Sequence, residues 1–267
     1  MNQLILITGG SSGIGKAAAR ILVNEGANVV LVARNQEKLE AAAQELDPSG
    51  EHVSTYSIDL SDPQAVQRGA SQITEERGVP DVVINSAGAG EWLSLEESTA
   101  EHYFETIKSP YLATAYTVKV FYDLMRKRGT GHFIIVNSVA SYVPIPGAIG
   151  YATSRSAMQG FAQSLQADLH STDFKVSLIS LGKVDSPYFT TNARSEERIP
   201  KVVDWLVRTL TEEQAGRAVA QLVHRPKNIT IKPPMMRFLI VLSRYFPGTF
   251  RWAMRRTGYQ SSKSSNS

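Results

Sequence analysis

The sequence contains no cysteine among its 267 residues. A disulfide scaffold, a thiolate zinc site and a cysteine nucleophile are therefore excluded. The chain also lacks any run of 18 apolar residues, so a simple transmembrane helix is not expected. The five histidines are scattered, and no His, Asp and Glu cluster has ligand spacing, so we expect no catalytic metal. With 42% hydrophobic and 20% charged residues, the composition is that of a globular protein.

Acidic residues are absent from the end of the chain. Residues 1–224 hold 19 Lys and Arg against 25 Asp and Glu, whereas residues 225–267 hold nine basic residues and no acid. The net charge of +3 therefore hides an acidic body and a basic tail. The acidic body continues no basic stripe, so a nucleic-acid partner is not expected. The N-terminal sequence has no signal-peptide pattern, which leads us to expect a cytoplasmic protein.

Short β-branched runs alternate with longer segments of helical pattern. The runs are apolar on consecutive residues, as in a sheet that is buried on both faces. Strands are predicted at residues 4–8, 28–33, 53–58, 81–85, 132–137, 176–180 and 228–232, and the longer helices at 13–25, 36–46, 63–77, 100–128 and 151–170. Thr211 and Gln214 predict a capping box before a further helix at 215–223. The pattern predicts an α/β fold with a doubly wound, seven-stranded parallel sheet over residues 1–232, followed by a basic helical extension at 233–267.

Glycines cluster directly after the first predicted strand, in the segment Thr8-Gly9-Gly10-Ser11-Ser12-Gly13-Ile14-Gly15. They permit a tight turn and let the backbone approach a pyrophosphate, while the next helix offers free N–H groups and its positive dipole end. This strand–turn–helix context predicts a dinucleotide site.

The second predicted strand ends in Val32-Ala33-Arg34-Asn35. A site that reads a ribose 2′-hydroxyl needs an acidic residue at this point, whereas Arg34 is placed to pair with a 2′-phosphate. We therefore expect NADP rather than NAD. The alternative is that Arg34 is a solvated loop charge.

Three features together resemble the single-domain branch of the short-chain dehydrogenase/reductase family. They are the glycine spacing, the segment Asn85-Ser86-Ala87-Gly88 after the fourth strand, and Ser138 thirteen residues before Tyr151. The similarity covers residues 3–232 and implies a Rossmann fold. Segments 9–16 and 32–35 look most like those of 3-ketodihydrosphingosine reductases and other NADPH-dependent ketoreductases.

The resemblance implies cofactor contacts for residues that follow the predicted strands. These are Thr8, Gly9, Ser11, Gly13, Ile14 and Gly15 at the pyrophosphate, Arg34 at the 2′-phosphate, Asp59 and Leu60 at the adenine, Asn85, Ala87 and Gly88 beside the nicotinamide ribose, and Gly182, Val184 and Ser186 beside the carboxamide. Leu181 and Ser186 depart from the family pattern, although Ser186 keeps a hydroxyl.

The resemblance also implies hydride transfer between a nicotinamide and a carbonyl or secondary alcohol. Ser138 would hold the carbonyl oxygen, and Tyr151 would donate and accept the proton. A cation is needed nearby because a free tyrosine phenol ionises only near pH 10. The family places a lysine four residues after the tyrosine, where this chain has Arg155, and we expect Tyr151 and Arg155 to contact the cofactor as well. Arginine keeps the charge but cannot release a proton.

A second departure affects the same proton relay. Ile107 stands where the family usually has an asparagine, or Lys108 if the alignment slips by one residue. Three alternatives follow: a working reductase with a rewired relay, a slow enzyme, and a cofactor-binding pseudoenzyme that acts as a sensor or scaffold. Retention of both Ser138 and Tyr151 favours chemistry.

Residues 187–210 correspond to the family's substrate lid. With two segments before it, the lid predicts an apolar pocket that suits a lipophilic ketone better than a sugar. The expected lining residues are Pro187, Tyr188, Phe189, Ile199, Val202, Val203, Trp205, Leu206, Leu210, Trp92, Leu93, Val143, Ile145 and Pro146.

Two helical stretches are predicted in the tail, at residues 235–246 and 248–256. Arg237, Arg244 and Arg251 recur there every seven residues among apolar and aromatic side chains. The stretches either pack on their own domain or a dimer partner, lie on an anionic membrane surface through residues 235–256, or bind another protein. The family resemblance implies a homodimer or homotetramer.

Overall fold

A computed structural model of the chain describes residues 3–88 and 90–260. Its main sheet has seven parallel strands in the order β3-β2-β1-β4-β5-β6-β9. The strands are β1 (Leu4–Thr8), β2 (Asn28–Ala33), β3 (Val53–Ser57), β4 (Val82–Asn85), β5 (Thr130–Ser138), β6 (Asp173–Leu181) and β9 (Ile229–Lys232), and β7 (Val184–Asp185) pairs separately with β8 (Leu210–Thr211). The predicted doubly wound, seven-stranded parallel sheet is therefore confirmed.

Helices cover both faces of the sheet and one of its ends. They are α1 (Gly13–Asn24), α2 (Gln36–Leu46), α3 (Pro63–Arg77), α4 (Ala100–Ile107), α5 (Ala113–Met125), α6 (Ile149–Asp168), α7 (Pro187–Thr191), α8 (Ala193–Glu197), α9 (Lys201–Leu206), α10 (Glu212–His224), α11 (Pro234–Tyr245) and α12 (Pro247–Thr257). The predicted capping box forms at α10, where Thr211 and Gln214 exchange two hydrogen bonds of 3.2 Å. No helix within the described ranges has the length and apolar character needed to cross a membrane.

Alternate residues of each strand supply two separate cores. Ile5 and Ile7 of β1 pack in a core with side chains of α1 and α10, whereas Leu6 packs in a second core with side chains of α3, α5 and α6. A strand whose two faces are both covered must be apolar at every position, which explains the uninterrupted apolar runs.

The prediction of one continuous helix at 100–128 is wrong, because the structure has two helices there, α4 and α5. The chain forms a π-type turn at Lys108–Leu112, where Ser109 leaves the helical region with φ −132° and ψ 116°, and α5 begins only afterwards. Pro110 causes the break, since proline lacks an N–H and disfavours the α conformation of the residue before it.

The order of the strands reverses on either side of β1, which lies between β2 and β4. In such sheets a crevice forms outside the carboxyl ends of the strands at this switch point. The predicted functional residues follow these ends, so the fold brings them to one edge.

Candidate active site

A cavity of about 740 Å³ lies at the carboxyl edge of the sheet. Most of the predicted site residues line it. They are Gly9, Ser11, Gly13, Ile14, Gly15, Arg34, Asp59, Leu60, Ala87, Gly88, Ser138, Tyr151, Arg155, Gly182, Val184 and Ser186. One continuous space therefore joins the expected pyrophosphate, adenine and nicotinamide contacts to the expected catalytic pair.

The glycine loop approaches its neighbours so closely that side chains do not fit. A Cβ on Gly15 would lie 2.4 Å from the carbonyl oxygen of Gly9, and one on Gly9 would lie 2.9 Å from the backbone of Ala87. Gly9 and Gly13 also have φ of +67° and +56°, which L-residues with side chains rarely adopt. The loop thus keeps bare backbone at the start of α1.

Thr8 and Asn85 lie behind the cavity wall rather than in its lining. The Thr8 hydroxyl accepts hydrogen bonds of 3.1 Å from the backbone N–H groups of Ser86 and Ala87, which fixes the segment after β4. Asn85 is buried, and among the described residues neither atom of its amide has a hydrogen-bond partner. Buried amides are normally paired, so Asn85 retains bonding capacity beside the cavity.

Basic side chains gather at the far end of the cavity from Tyr151. Arg34 and Lys38 both line this end, and the Ser57 hydroxyl donates a 2.8 Å bond to the Arg34 carbonyl. A 2.6 Å hydrogen bond from the Ser61 hydroxyl, together with the charge of Arg34, lowers the pKa of Asp59. The sequence analysis missed Lys38, although its place in the first turn of the predicted helix, four residues after Arg34, was available as a signal.

Tyr151 is buried in an aromatic cluster. Its ring centroid lies 5.2 Å from that of Trp92 and 6.2 Å from that of Tyr188. The Tyr188 hydroxyl donates a 2.5 Å bond to the Gly90 carbonyl and accepts one of 3.1 Å from the Trp92 indole. Burial raises the pKa of Tyr188, so this phenol stays a donor. The cluster holds the Tyr151 ring in one orientation.

Arg155 packs against the face of Tyr151, with its guanidinium carbon 5.0 Å from the ring centroid. It is buried, its Nη1 contacts the Met158 sulfur at 3.6 Å, and its Nε has no hydrogen-bond partner among the described residues. A Cβ on Gly88 would lie 3.4 Å from Nη2, so the guanidinium borders the segment after β4. The positive charge therefore lies against the Tyr151 ring and beside the segment after β4.

Lys108 begins the π-type turn after α4 and lines the cavity. Its ammonium pairs with Glu105 at 3.3 Å, lies over the Phe104 ring, and helps to lower the pKa of Asp59 at the other end of the cavity. The Lys108 ammonium therefore lies near Glu105 and Asp59, and a relay through Lys108 in place of the missing asparagine stays a prediction.

Ser138 ends β5 at the cavity wall. Its hydroxyl accepts a 3.2 Å bond from the Ala140 N–H, and its carbonyl accepts one of 2.8 Å from the Ser141 hydroxyl. Nearby, the Asn137 amide donates a 3.0 Å bond to the Arg155 carbonyl. Strand β5 and helix α6 are thus joined directly beside the expected catalytic residues.

Two ion-pair clusters hold the lid formed by α7, α8 and α9. Arg198 donates to both carboxylate oxygens of Glu97 at 2.5 and 2.6 Å and to the Gly147 carbonyl at 3.1 Å. Arg198 and the hydroxyl and N–H of Ser94 lower the pKa of Glu97 to about 2. Lys183 pairs separately with Glu196 and Asp204 of the lid.

The remaining wall of the cavity is apolar and comes partly from the tail. Six predicted lining residues are absent from the lining: Leu93, Pro146, Val202, Trp205, Leu206 and Leu210. Of these, Trp205 and Leu206 are exposed, and Trp205 is 84% accessible. Side chains of α11 and α12 instead line this part of the pocket. The residues lining this end are Trp92, Val143, Ile145, Val203, Val207, Met236, Leu239, Phe250 and Met254.

A sequence profile of the short-chain dehydrogenase family matches residues 3–197 of this chain. The chain belongs to the short-chain dehydrogenase/reductase family. It is 28% identical to dehydrogenase/reductase SDR family member 7B from Bos taurus over all of its own length and 84% of that protein. It is 32% identical to an uncharacterised oxidoreductase of Mycobacterium bovis, over 84% of this chain and 65%, just under two thirds, of the relative.

A solved member of the fold has a similar chain path. The alcohol dehydrogenase of Thermococcus sibiricus, solved with 5-hydroxy-NADP, is 27% identical with a TM-score of 0.74, over 86% of this chain and 95% of the other. The family profile ends at residue 197, so α9 and the two C-terminal helices lie beyond the matched part.

Proposed function

We propose that this chain is an NADP(H)-dependent oxidoreductase that interconverts a lipophilic ketone and its secondary alcohol. The observation that carries the proposal is the single cavity: its lining contains the glycine loop, Arg34, the Ser138 and Tyr151 hydroxyls, and an apolar end. Family membership and the NADP derivative in the Thermococcus sibiricus enzyme support it.

The residues present fit a dinucleotide with a 2′-phosphate. The loop at Gly9 and Gly15 leaves no room for a Cβ, as a backbone cradle for a pyrophosphate requires. Arg34 and Lys38 would hold the 2′-phosphate, since Arg34 stands directly after β2, where a site for a 2′-hydroxyl has an acidic residue. The unpaired Nε of Arg155 offers a donor near the ribose end.

Bound NADPH would supply the hydride that reduces the carbonyl carbon. Ser138 would donate a hydrogen bond to the carbonyl oxygen, and Tyr151 would transfer its phenolic proton to that oxygen as negative charge develops. The guanidinium against the Tyr151 ring would stabilise the phenolate that remains. Arg155 cannot donate its own proton, so Tyr151 must regain one from water or from a hydroxyl in the cavity.

The apolar end of the cavity supports a lipophilic substrate. Val143, Val203, Leu239 and Met254 surround it, and a chain of methylene groups would lose contact with water there at about 0.8 kcal/mol per CH₂. A sugar would leave its hydroxyls unpaired against these side chains.

We further propose a homodimer or homotetramer in the cytoplasm, with residues 235–256 at a membrane surface. The exposed aromatic and arginine side chains of these residues support the membrane contact. Light scattering of the purified chain tests the oligomer.

The activity is tested by NADPH and NADH oxidation with a panel of ketones of increasing chain length. We expect turnover with NADPH that rises with chain length, and a loss of about 10²- to 10⁴-fold in kcat for Tyr151→Phe. Tyr103→Phe, on α4 and outside the cavity lining, is the matched control. NADPH binding without turnover of any ketone, combined with activity gained by Arg155→Lys, would favour the pseudoenzyme.

A further inference from the structure

The two C-terminal helices, α11 and α12, form a wall that is one helix thick. We call residues 234–257 the C-terminal arm. Met236 and Leu239 of α11 and Met254 of α12 are buried and line the cavity, whereas Phe238 and Trp252, on the same two helices, are exposed. The outer face of the arm is therefore apolar and uncovered, directly behind the pocket wall.

The lid continues this exposed surface. Val202 and Val203 of α9 pack with Phe250 and Met254 of the arm, and the same helix carries the exposed Trp205. Of the thirteen large hydrophobic side chains exposed in the described residues, seven lie on the arm and two on α9. They are Met235, Phe238, Val241, Leu242, Tyr245, Phe246 and Trp252 on the arm, and Trp205 and Leu206 on α9. Exposed apolar area concentrated in this way marks an interaction surface.

The positive charge of the arm favours an anionic binding partner. Arg237, Arg244, Arg251, Arg255 and Arg256 are all exposed, and residues 225–267 contain no acid. In a symmetric dimer the same patch meets itself, so these arginines would face one another without a carboxylate from either arm. An anionic lipid surface pairs with the arginines and also accepts the tryptophan and phenylalanine side chains.

We infer that the outer face of the arm, together with Trp205 and Leu206 of the lid, docks on an anionic bilayer. The inference extends the proposed membrane contact of residues 235–256 to the lid and assigns it an anionic lipid surface, and it rests on the proposed activity only in that the docked surface borders the reductase pocket. The bilayer would then contact two walls of that pocket, the lid and the arm, and an apolar substrate would pass between the bilayer and the pocket without crossing bulk water.

Vesicle co-sedimentation of the full chain tests the charge requirement. We expect binding to phosphatidylcholine vesicles that contain phosphatidylserine, little binding to phosphatidylcholine alone, and weakening as salt rises from about 0.1 M to about 0.5 M. Each arginine near an anionic surface contributes about fivefold, or about 1 kcal/mol at 1.4 kcal/mol per tenfold. The triple variant Arg237→Gln, Arg244→Gln, Arg251→Gln should therefore bind about 100-fold more weakly. Its matched control neutralises exposed basic residues elsewhere, in Arg68→Gln, Arg126→Gln, Lys127→Gln.

Tryptophan fluorescence tests which elements enter the bilayer. The chain has three tryptophans, of which Trp92 is buried and Trp205 and Trp252 are exposed. Lipid-borne quenchers should quench up to about two thirds of the total tryptophan fluorescence, because two of the three tryptophans are exposed. Each of Trp205→Phe and Trp252→Phe should remove part of this quenching. Loss of quenching in Trp252→Phe alone would exclude the lid from the docked surface.

Further outcomes separate this inference from the proposed function. Tyr151→Phe should bind vesicles as the wild type does, whether or not any ketone is reduced, because Tyr151 is buried away from the arm surface. Equal binding to both kinds of vesicle, or no effect of the arginine triple variant, overturns the inference. So does an oligomer that dissociates in Phe246→Ser, Trp252→Ser but not in the exposed control Leu95→Ser, because the face would then join two copies of the chain.

Discussion

The ion pair between Glu97 and Arg198 fixes the lid to the segment after β4, so it should dominate the local stability of the pocket. Arg198→Met removes two charge-assisted bonds to Glu97 and one bond to the Gly147 carbonyl. Removing one partner of a buried pair costs about 3–5 kcal/mol. Glu97 keeps its bonds from Ser94, and its side chain is 30% exposed, so water solvates part of the remaining charge. We therefore expect a loss of about 2–3 kcal/mol in the free energy of unfolding at pH 7.

Urea unfolding of the wild type, Arg198→Met, Glu97→Gln and the double variant measures this energy. The double-mutant cycle should give a coupling above about 1 kcal/mol. The pKa of Glu97 is about 2 in the folded chain and 4.5 ordinarily, so its contribution is complete above pH 4.5 and is lost as the pH falls toward 2. Additive single effects, or a loss below about 0.5 kcal/mol for Arg198→Met, would refute the reasoning, because that is the range of ordinary surface substitutions.

Three other substitutions test cofactor binding and the pH dependence of stability. Arg34→Gln should raise the KM for NADPH by about 10- to 100-fold and leave that for NADH unchanged, since a charge-assisted bond contributes about 1.5–3 kcal/mol. Gly15→Ala should weaken NADPH binding in a titration, because its Cβ would meet the Gly9 carbonyl at 2.4 Å, whereas Gly160→Ala, with open space around it, should bind NADPH as the wild type does. Burial lowers the pKa of His132 to about 4. The contribution of neutral His132 to the free energy of unfolding is therefore complete above pH 6.5 and falls by up to about 3 kcal/mol as the pH drops to 4. His132→Gln should flatten this part of the pH profile measured by urea unfolding.

The sequence was sufficient to predict the sheet and the cavity lining from the glycine loop to Tyr151. Strands buried on both faces leave uninterrupted apolar runs, and glycines at Gly9 and Gly15 are required by contacts between backbone atoms. The contact between Gly15 and Gly9 joins residues close in sequence, whereas the contact between Gly9 and Ala87 joins distant ones. The break at Pro110 also has a local signal, although the helical pattern on both sides of this proline predicts one continuous helix.

The position of the tail was not predictable in the same way. Helix α11 is apolar on several sides, with Leu239 and Ile240 buried and Phe238 and Val241 exposed. A helix with so broad an apolar surface does not indicate by periodicity which side is covered. Trp205 was expected in the pocket for the same reason, since its hydrophobic character is compatible with either environment. Only the packing of distant segments distinguishes a pocket wall from an exposed face.

Isotope transfer tests the proposed activity most directly. NADPH that carries deuterium at the transferable position is incubated with the full-length protein and a long-chain ketone, and the alcohol product is analysed by mass spectrometry. We predict one deuterium on the carbinol carbon with the wild type and a rate lower by about 10²- to 10⁴-fold with Tyr151→Phe. Equal rates for the two proteins, or no labelled alcohol although NADPH binds, would contradict the assignment of this cavity as a reductase site.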